Sequence, residues 1–153
     1  MLQQALATIE AAFADAPRPP DDALLHERCF DDNDLVRLYE VAHWSELPDA
    51  VVESEYAALS FLSAAGFRHF IPAYMGFALR HLDSGAAAVD STIWSLSPEI
   101  YDDPGLGEFA RSKFVLLDDR QRAAATGFLE TVRTLGDEYH ARDAERALAW
   151  WRT

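Results

Sequence analysis

The sequence predicts a single, mainly α-helical domain over residues 1–153, with about six or seven helices and at most a minor short hairpin. Three observations support this fold class. Apolar residues recur at helical spacing in most segments. Prolines and capping residues divide these segments into pieces of helix length. Half of the residues are hydrophobic, and a chain of 153 residues can bury enough of them to form one core.

The first helix is predicted from an apolar stripe that precedes three prolines. Its members are Leu2, Ala5, Leu6, Ile9, Ala12 and Phe13. Proline lacks a backbone donor and restricts the residue before it, so Pro17, Pro19 and Pro20 should end the helix. Residues 21–30 are compatible with a short strand or an irregular packed loop. The acidic run Asp31–Asp34 can then cap a helix from about Leu35 to Ala42.

The central segment is the most apolar part of the chain. Pro48 or Asp49 should open a helix that carries Val52, Tyr56 and Leu59, and Ser63 is a candidate cap for the next one. That next helix, up to about Leu82, is apolar nearly all round, which is typical of a central helix. Pro72 should kink this helix or break it into two.

The C-terminal half contains further helix signals. Residues 91–96 are compatible with a short strand or a helical turn, and a long turn at 102–107 should precede a helix from Glu108 to Leu116. Asp118 and Gln121 match a capping box. Gly136 is a helix stop, and the last helix should bury a stripe formed by Ala144, Ala147, Leu148 and Trp151.

The net charge of −13 is distributed unevenly. Residues 1–58 contain 13 acidic and 3 basic residues, whereas residues 59–153 contain 13 acidic and 10 basic residues. Nucleic acids and anionic membranes are poor partners for such a chain, because phosphate binding requires clustered Lys and Arg. A basic protein would be attracted to it. The alternative explanation of the charge is solubility.

The cellular compartment is predicted from features that the sequence lacks. The one cysteine, Cys29, cannot form an internal disulfide, and the N-terminus lacks the features of a signal peptide. No segment approaches the roughly 20 apolar residues that a membrane span requires. We therefore expect a cytoplasmic protein.

No motif predicts a metal, a cofactor or a catalytic centre. The run Asp31–Asp34 resembles the start of a calcium loop, but Val36 and Ala42 stand where that loop needs glycine and an acid. His26 and Cys29 would be two zinc ligands without a second pair, or a His–Cys nucleophile pair. No Walker loop, dinucleotide-binding glycine pattern or Gly-x-Ser-x-Gly occurs. An enzyme is therefore the less favoured alternative.

Two further sets of residues are candidates for binding. Arg68, within an aromatic segment, could bind an anion with Tyr74 and His81 near the same pocket. The structural alternative is that Arg68 pairs with an acid at the edge of the core and His69 lies on the helix surface. Trp150 and Trp151 cannot both face one core from a regular helix, so one of them could cover a partner or a second subunit.

The order of landmarks resembles a known family. The landmarks are Ile9–Phe13, the proline-rich break, His26–Cys29, Trp44–Pro48, the segment Leu59–Tyr74 and the helix start near Leu117. Within them, the pattern Leu-Ser-x-x-Gly-Phe-Arg-x-Phe-x-Pro-Ala-Tyr is the most specific. Together they resemble the DUF6714 family of uncharacterised small bacterial proteins over most of the chain. The resemblance implies no substrate and no catalytic residue.

We therefore expect a non-enzymatic protein-binding module, for example of the immunity or antitoxin type, that engages a basic partner through its acidic N-terminal third. The residues predicted to contact the partner are Asp21, Asp22, Asp31, Asp32, Asp34 and Glu40. Electrostatic steering would make this association fast and sensitive to salt. The alternative is a small-ligand-binding or enzymatic domain centred on Arg68.

Overall fold

The computed structural model describes residues 1–26, 33–100 and 102–153, apart from the side chains of residues 33–36. These residues form seven α-helices and several short 3₁₀ segments, and they contain no strand, so the mainly α prediction is confirmed. The helices are α1 Leu2–Phe13, α2 Asp49–Ser54, α3 Ala64–Arg80, α4 Ala87–Ser95, α5 Pro104–Ser112, α6 Asp119–Leu135 and α7 Glu138–Trp151.

For the described residues of both candidate regions, the structure shows whether a strand forms. Residues 91–95 belong to α4, so the strand alternative is wrong there. Leu25 forms one isolated bridge with Leu62, and residues 27–30 lie outside the described part. The helix predicted at Leu35 to Ala42 is a 3₁₀ helix that spans Asn33–Glu40.

Helix α3 lies at the centre of the fold, as its all-round apolar character predicts. It packs against α1, α2, α4, α6 and the 3₁₀ segment Trp44–Glu46. Ser63 caps it, because the Ser63 hydroxyl accepts a hydrogen bond from the Gly66 amide at 3.0 Å. The helix continues through Pro72, so the predicted break into two helices is wrong. Its largest fully buried side chains are Phe67, Phe70, Ile71, Tyr74 and Phe77.

Capping residues set the boundaries of the later helices. Asp118 and Gln121 form the predicted capping box, and α6 ends before Gly136 as expected. Helix α5 begins at Pro104, earlier than predicted, since the Asp103 carboxylate caps it and proline fits the first position of a helix. Helix α2 ends at Ser54, so Tyr56 lies beyond it.

The two adjacent tryptophans both pack inward. Phe114 follows α5, and its ring centroid lies 5.3 Å from that of Trp150 and 4.9 Å from that of Trp151. The Trp151 indole donates a hydrogen bond to the Leu96 carbonyl at 2.8 Å. The prediction that they cannot both face one core is wrong, because both rings are half-buried against the core and contact Phe114 and each other, with their own centroids 5.1 Å apart.

Candidate functional site

Of the six acids predicted to bind a partner, the structure describes Asp21, Asp22 and Glu40 in full and only the backbone of Asp34. Asp22 and Glu40 are exposed and form no ion pair with the described residues. Asp21 pairs with Arg18 at 2.9 Å, yet 67% of its side chain remains exposed. Asp34 belongs to the 3₁₀ helix Asn33–Glu40, but its side chain lies outside the described part, as do Asp31 and Asp32 entirely.

The N-terminal third contains a set of exposed acids without a cation. Among the residues that the structure describes, these unpaired acids are Glu10, Asp15, Asp22, Glu40, Glu46 and Glu53. Within residues 59–153, by contrast, seven acids lie within 4.0 Å of a basic side chain, namely Asp90, Glu99, Asp118, Glu130, Asp137, Asp143 and Glu145. Six other acids of residues 59–153, Asp83, Asp102, Asp103, Glu108, Asp119 and Glu138, have no such partner in the described structure, so the two parts differ in the proportion of paired acids.

The three residues of the alternative ligand site do not converge. Arg68 and His81 both lie on or next to α3, about 20 Å apart along its axis at 1.5 Å per residue. The Arg68 Nε donates to the Gln121 side-chain oxygen at 3.0 Å, and its Nη2 lies 4.0 Å from Asp118. This pairing at the edge of the core matches the structural alternative for Arg68.

Tyr74 and His81 are also engaged within the protein. The Tyr74 hydroxyl is buried and donates to the Glu55 carbonyl at 2.7 Å. Burial raises the pKa of this phenol far above its usual value, and the nearby Glu55 adds to the effect. The His81 Nε2 lies 3.1 Å from the Asp49 carboxylate, and its ring packs on Phe77. None of the three lines the main cleft described below.

His69 is buried, so its predicted position on the helix surface is wrong. Its Nδ1 donates to the Ala16 carbonyl at 3.0 Å, and its Nε2 has no hydrogen-bond partner in the described structure. Burial lowers the pKa of His69, and the nearby His43 and Arg18 add to this effect, although the bond to Ala16 opposes it. The neutral ring therefore joins α3 to the segment that follows α1.

A cleft of about 420 Å³ lies between α1, the 3₁₀ segment Trp44–Glu46 and α3. This volume is within the usual range for binding sites, which runs from about 300 to 1,000 Å³. Its walls are polar and apolar in nearly equal measure. The lining residues are Gln3, Leu6, Ile9, Glu10, Trp44, Ser45, Leu47, Pro72, Ala73, Gly76 and Arg80.

The only two charged groups of the cleft lining differ in their pairing. The Arg80 Nη2 lies 2.6 Å from Asp49, and hydrogen bonds from His81 and Arg80 lower the pKa of Asp49 although burial opposes this. The guanidinium also folds over Gly76, because a β-carbon there would lie 3.0 Å from its Nη1. Glu10 is exposed and has no cationic partner among the described residues. The charge of Arg80 is thus balanced, and that of Glu10 is not.

The end of α1 is fixed by side chains that donate to its carbonyls. Helix C-termini leave their last carbonyls without partners in the helix. Here Arg120, Gln121 and Trp44 donate to the carbonyls of residues 11, 12 and 13 at 3.4, 3.3 and 3.0 Å. The Nε2 of His43 donates to Ala14 at 3.0 Å, since its Nδ1 accepts from the Ser45 amide. These bonds hold the Trp44 ring in the cleft wall.

Sequence reasoning missed the cleft residues Glu10, Trp44 and Arg80. One signal was present: Gln3, Leu6 and Glu10 share a face of α1 at spacings of three and four residues, and two of them are polar on an otherwise apolar stripe. The contribution of Trp44 could not be read from the sequence, because it depends on how a separate segment packs across α1.

Fold and site together define a small, mainly helical protein with an open cleft of mixed polarity. In the described ranges, no helix is long and apolar enough to cross a membrane. The chain belongs to DUF6714, a family of unknown function whose model matches residues 1–153. No curated protein and no solved structure matches it.

Proposed function

We propose that this protein is a non-enzymatic binding module that engages a basic protein partner through the acidic residues of its N-terminal third. Neutralisation of a toxin by an immunity protein is one form that such an engagement takes. The observation that supports the proposal is the set of exposed, unpaired acids Glu10, Asp15, Asp22, Glu40, Glu46 and Glu53, in a part of the chain that carries 13 acidic and only 3 basic residues.

Two of these acids lie where they oppose folding. Glu10 is in the last turn of α1, and Asp15 follows the helix end. The C-terminal end of a helix carries partial negative charge, so an acid there is unfavourable for the helix, although Arg120 already donates to the Ala11 carbonyl at this end. Solubility requires net charge but not acids at this position. A cationic partner would offset the cost.

The alternative anion site at Arg68 has no comparable support. Its guanidinium is engaged by Gln121 and Asp118, and Tyr74 is enclosed in the core. The protein-binding proposal is therefore the one that the arrangement of charges favours.

Matched charge variants test the proposal. The test variant carries Asp15→Asn, Asp22→Asn and Glu40→Gln. The control carries Asp83→Asn, Asp102→Asn and Glu108→Gln, which are also exposed and without an ion pair in the described structure. Both variants change the net charge by the same amount, so they separate local charge from total charge.

The assay is affinity capture from a lysate of the native host, followed by mass spectrometry and by affinity measurement with the purified captured protein. We expect a basic protein that wild type and control bind equally, that the test variant binds several-fold more weakly, and that high salt releases. Equal affinity of all three proteins, or binding that is insensitive to salt, would overturn the proposal.

A further inference from the structure

The cleft between α1, Trp44–Glu46 and α3 offers the features that bind a cationic side chain. It has one uncompensated carboxylate, Glu10, because the opposing Arg80 is paired with Asp49 at 2.6 Å. It also has an amide, Gln3, that makes no hydrogen bond within the described residues. When Arg80 is counted together with Asp49, which lies outside the lining, the charge left unbalanced at the cleft is that of Glu10.

Trp44 adds an aromatic surface to this carboxylate. The indole Nε1 donates to the Phe13 carbonyl at 3.0 Å, so the ring is held in place without a ligand. Trp44 is half-buried, and it lines the cleft together with Pro72 and Ala73 of α3. A flat cation can stack on such a ring, and tryptophan is the best aromatic partner for cations.

We infer that this cleft receives an arginine side chain of the basic partner, with Glu10 as its counter-ion and Trp44 as its stacking surface. Guanidinium suits the site better than ammonium, because it is planar, stacks on aromatic rings and donates to a carboxylate through two parallel bonds. Its aliphatic stem would lie on the apolar part of the walls. This inference rests on the proposed function, and it specifies which chemical group of the partner is bound.

The test uses small probes rather than the partner. N-acetylarginine amide, its neutral analogue N-acetylcitrulline amide, and N-α-acetyl-lysine amide are each titrated at constant ionic strength. Binding is followed by two-dimensional nitrogen–proton NMR at the Trp44 indole and the Gly76 amide. We expect the arginine probe to shift both resonances in a saturable way, the lysine probe to bind more weakly, and the citrulline probe to shift neither.

Two glutamate-to-glutamine variants, one inside the cleft and one outside it, test the role of Glu10. Glu10→Gln removes the proposed counter-ion, and Glu53→Gln removes an exposed acid of α2 that does not line the cleft. We expect Glu10→Gln to weaken binding of the arginine probe by roughly three- to fivefold, the effect of an exposed ion pair, and Glu53→Gln to leave it unchanged. Glu10 is exposed, so the fold should tolerate its substitution.

Several outcomes would overturn the inference: equal shifts with citrulline, equal binding of lysine, shifts confined to other residues, or no effect of Glu10→Gln. They are distinguishable from failure of the proposed function, because the triple variant used above keeps Glu10 intact. If capture of the partner depends on Asp15, Asp22 and Glu40 while the arginine probe leaves the cleft unaffected, the protein-binding proposal stands and the arginine site is rejected.

Discussion

Replacement of Gly66 by alanine tests a close approach between two distant backbone segments. Gly66 lies in the first turn of α3, where its amide donates to the Ser63 hydroxyl and the chain around Leu24 crosses the helix. The Ser63 amide donates to the Leu24 carbonyl at 2.8 Å. A β-carbon at Gly66 would lie 2.6 Å from that same carbonyl oxygen and 3.2 Å from buried carbons of Leu24 and Leu62.

The expected loss of stability follows from these distances. Overpacking a tight interior costs about 1 to 3 kcal/mol, and weakening the bond between Ser63 and Leu24 adds about 1 kcal/mol. The higher helix propensity of alanine returns at most about 1 kcal/mol. The net loss is about 2 kcal/mol, which lowers Tm by roughly 4 to 8 °C for a chain of this size.

Gly127→Ala is the matched control for this prediction. Gly127 lies within α6, and a β-carbon there would meet no atom within 4 Å. The same substitution should therefore raise Tm by roughly 2 to 4 °C, since only the propensity gain of up to about 1 kcal/mol applies. Differential scanning calorimetry measures both variants. A Gly66→Ala protein as stable as wild type would refute the proposed contact with Leu24.

Three further predictions concern other contacts. Burial lowers the pKa of His69 in the folded protein, so stability should fall by up to about 1.4 kcal/mol per pH unit as the pH drops below about 6.5 towards that lowered pKa; urea titrations should show a smaller loss for His69→Phe, and an unchanged slope would contradict the lowered pKa. Tyr74→Phe should lower the free energy of unfolding by about 1 to 2 kcal/mol, because the Glu55 carbonyl loses its buried donor; no change in urea titration would show that this bond contributes nothing. Asp118→Ala should cost about 1 kcal/mol through loss of the α6 cap, and an unaltered Tm would argue against the capping box.

The helices with strong local signals were predictable from the sequence. The capping box at Asp118, the cap at Ser63 and the stop at Gly136 are interactions within a few residues, so their sequence patterns determine them. The central position of α3 was also predictable, since a helix that is apolar all round must be covered on every side.

Features that depend on distant segments were not predictable. The sequence predicts His69 on the helix surface, but the chain after α1 covers it and supplies the Ala16 carbonyl. The two tryptophans of α7 both pack inward, where they contact Phe114, more than 30 residues earlier in the chain. The cleft has the same origin, because Glu10, Trp44 and Arg80 come from three separate segments. One-dimensional patterns contain no information on these crossings.

The rate of association between this protein and its captured basic partner, measured over a range of salt concentrations, tests the central claim most directly. Charge-driven recognition predicts that the association rate of wild type falls steeply with ionic strength. It also predicts that the variant with Asp15→Asn, Asp22→Asn and Glu40→Gln associates more slowly at low salt, with a weaker salt dependence and a similar dissociation rate. Identical association rates for wild type and this variant at every salt concentration would contradict it.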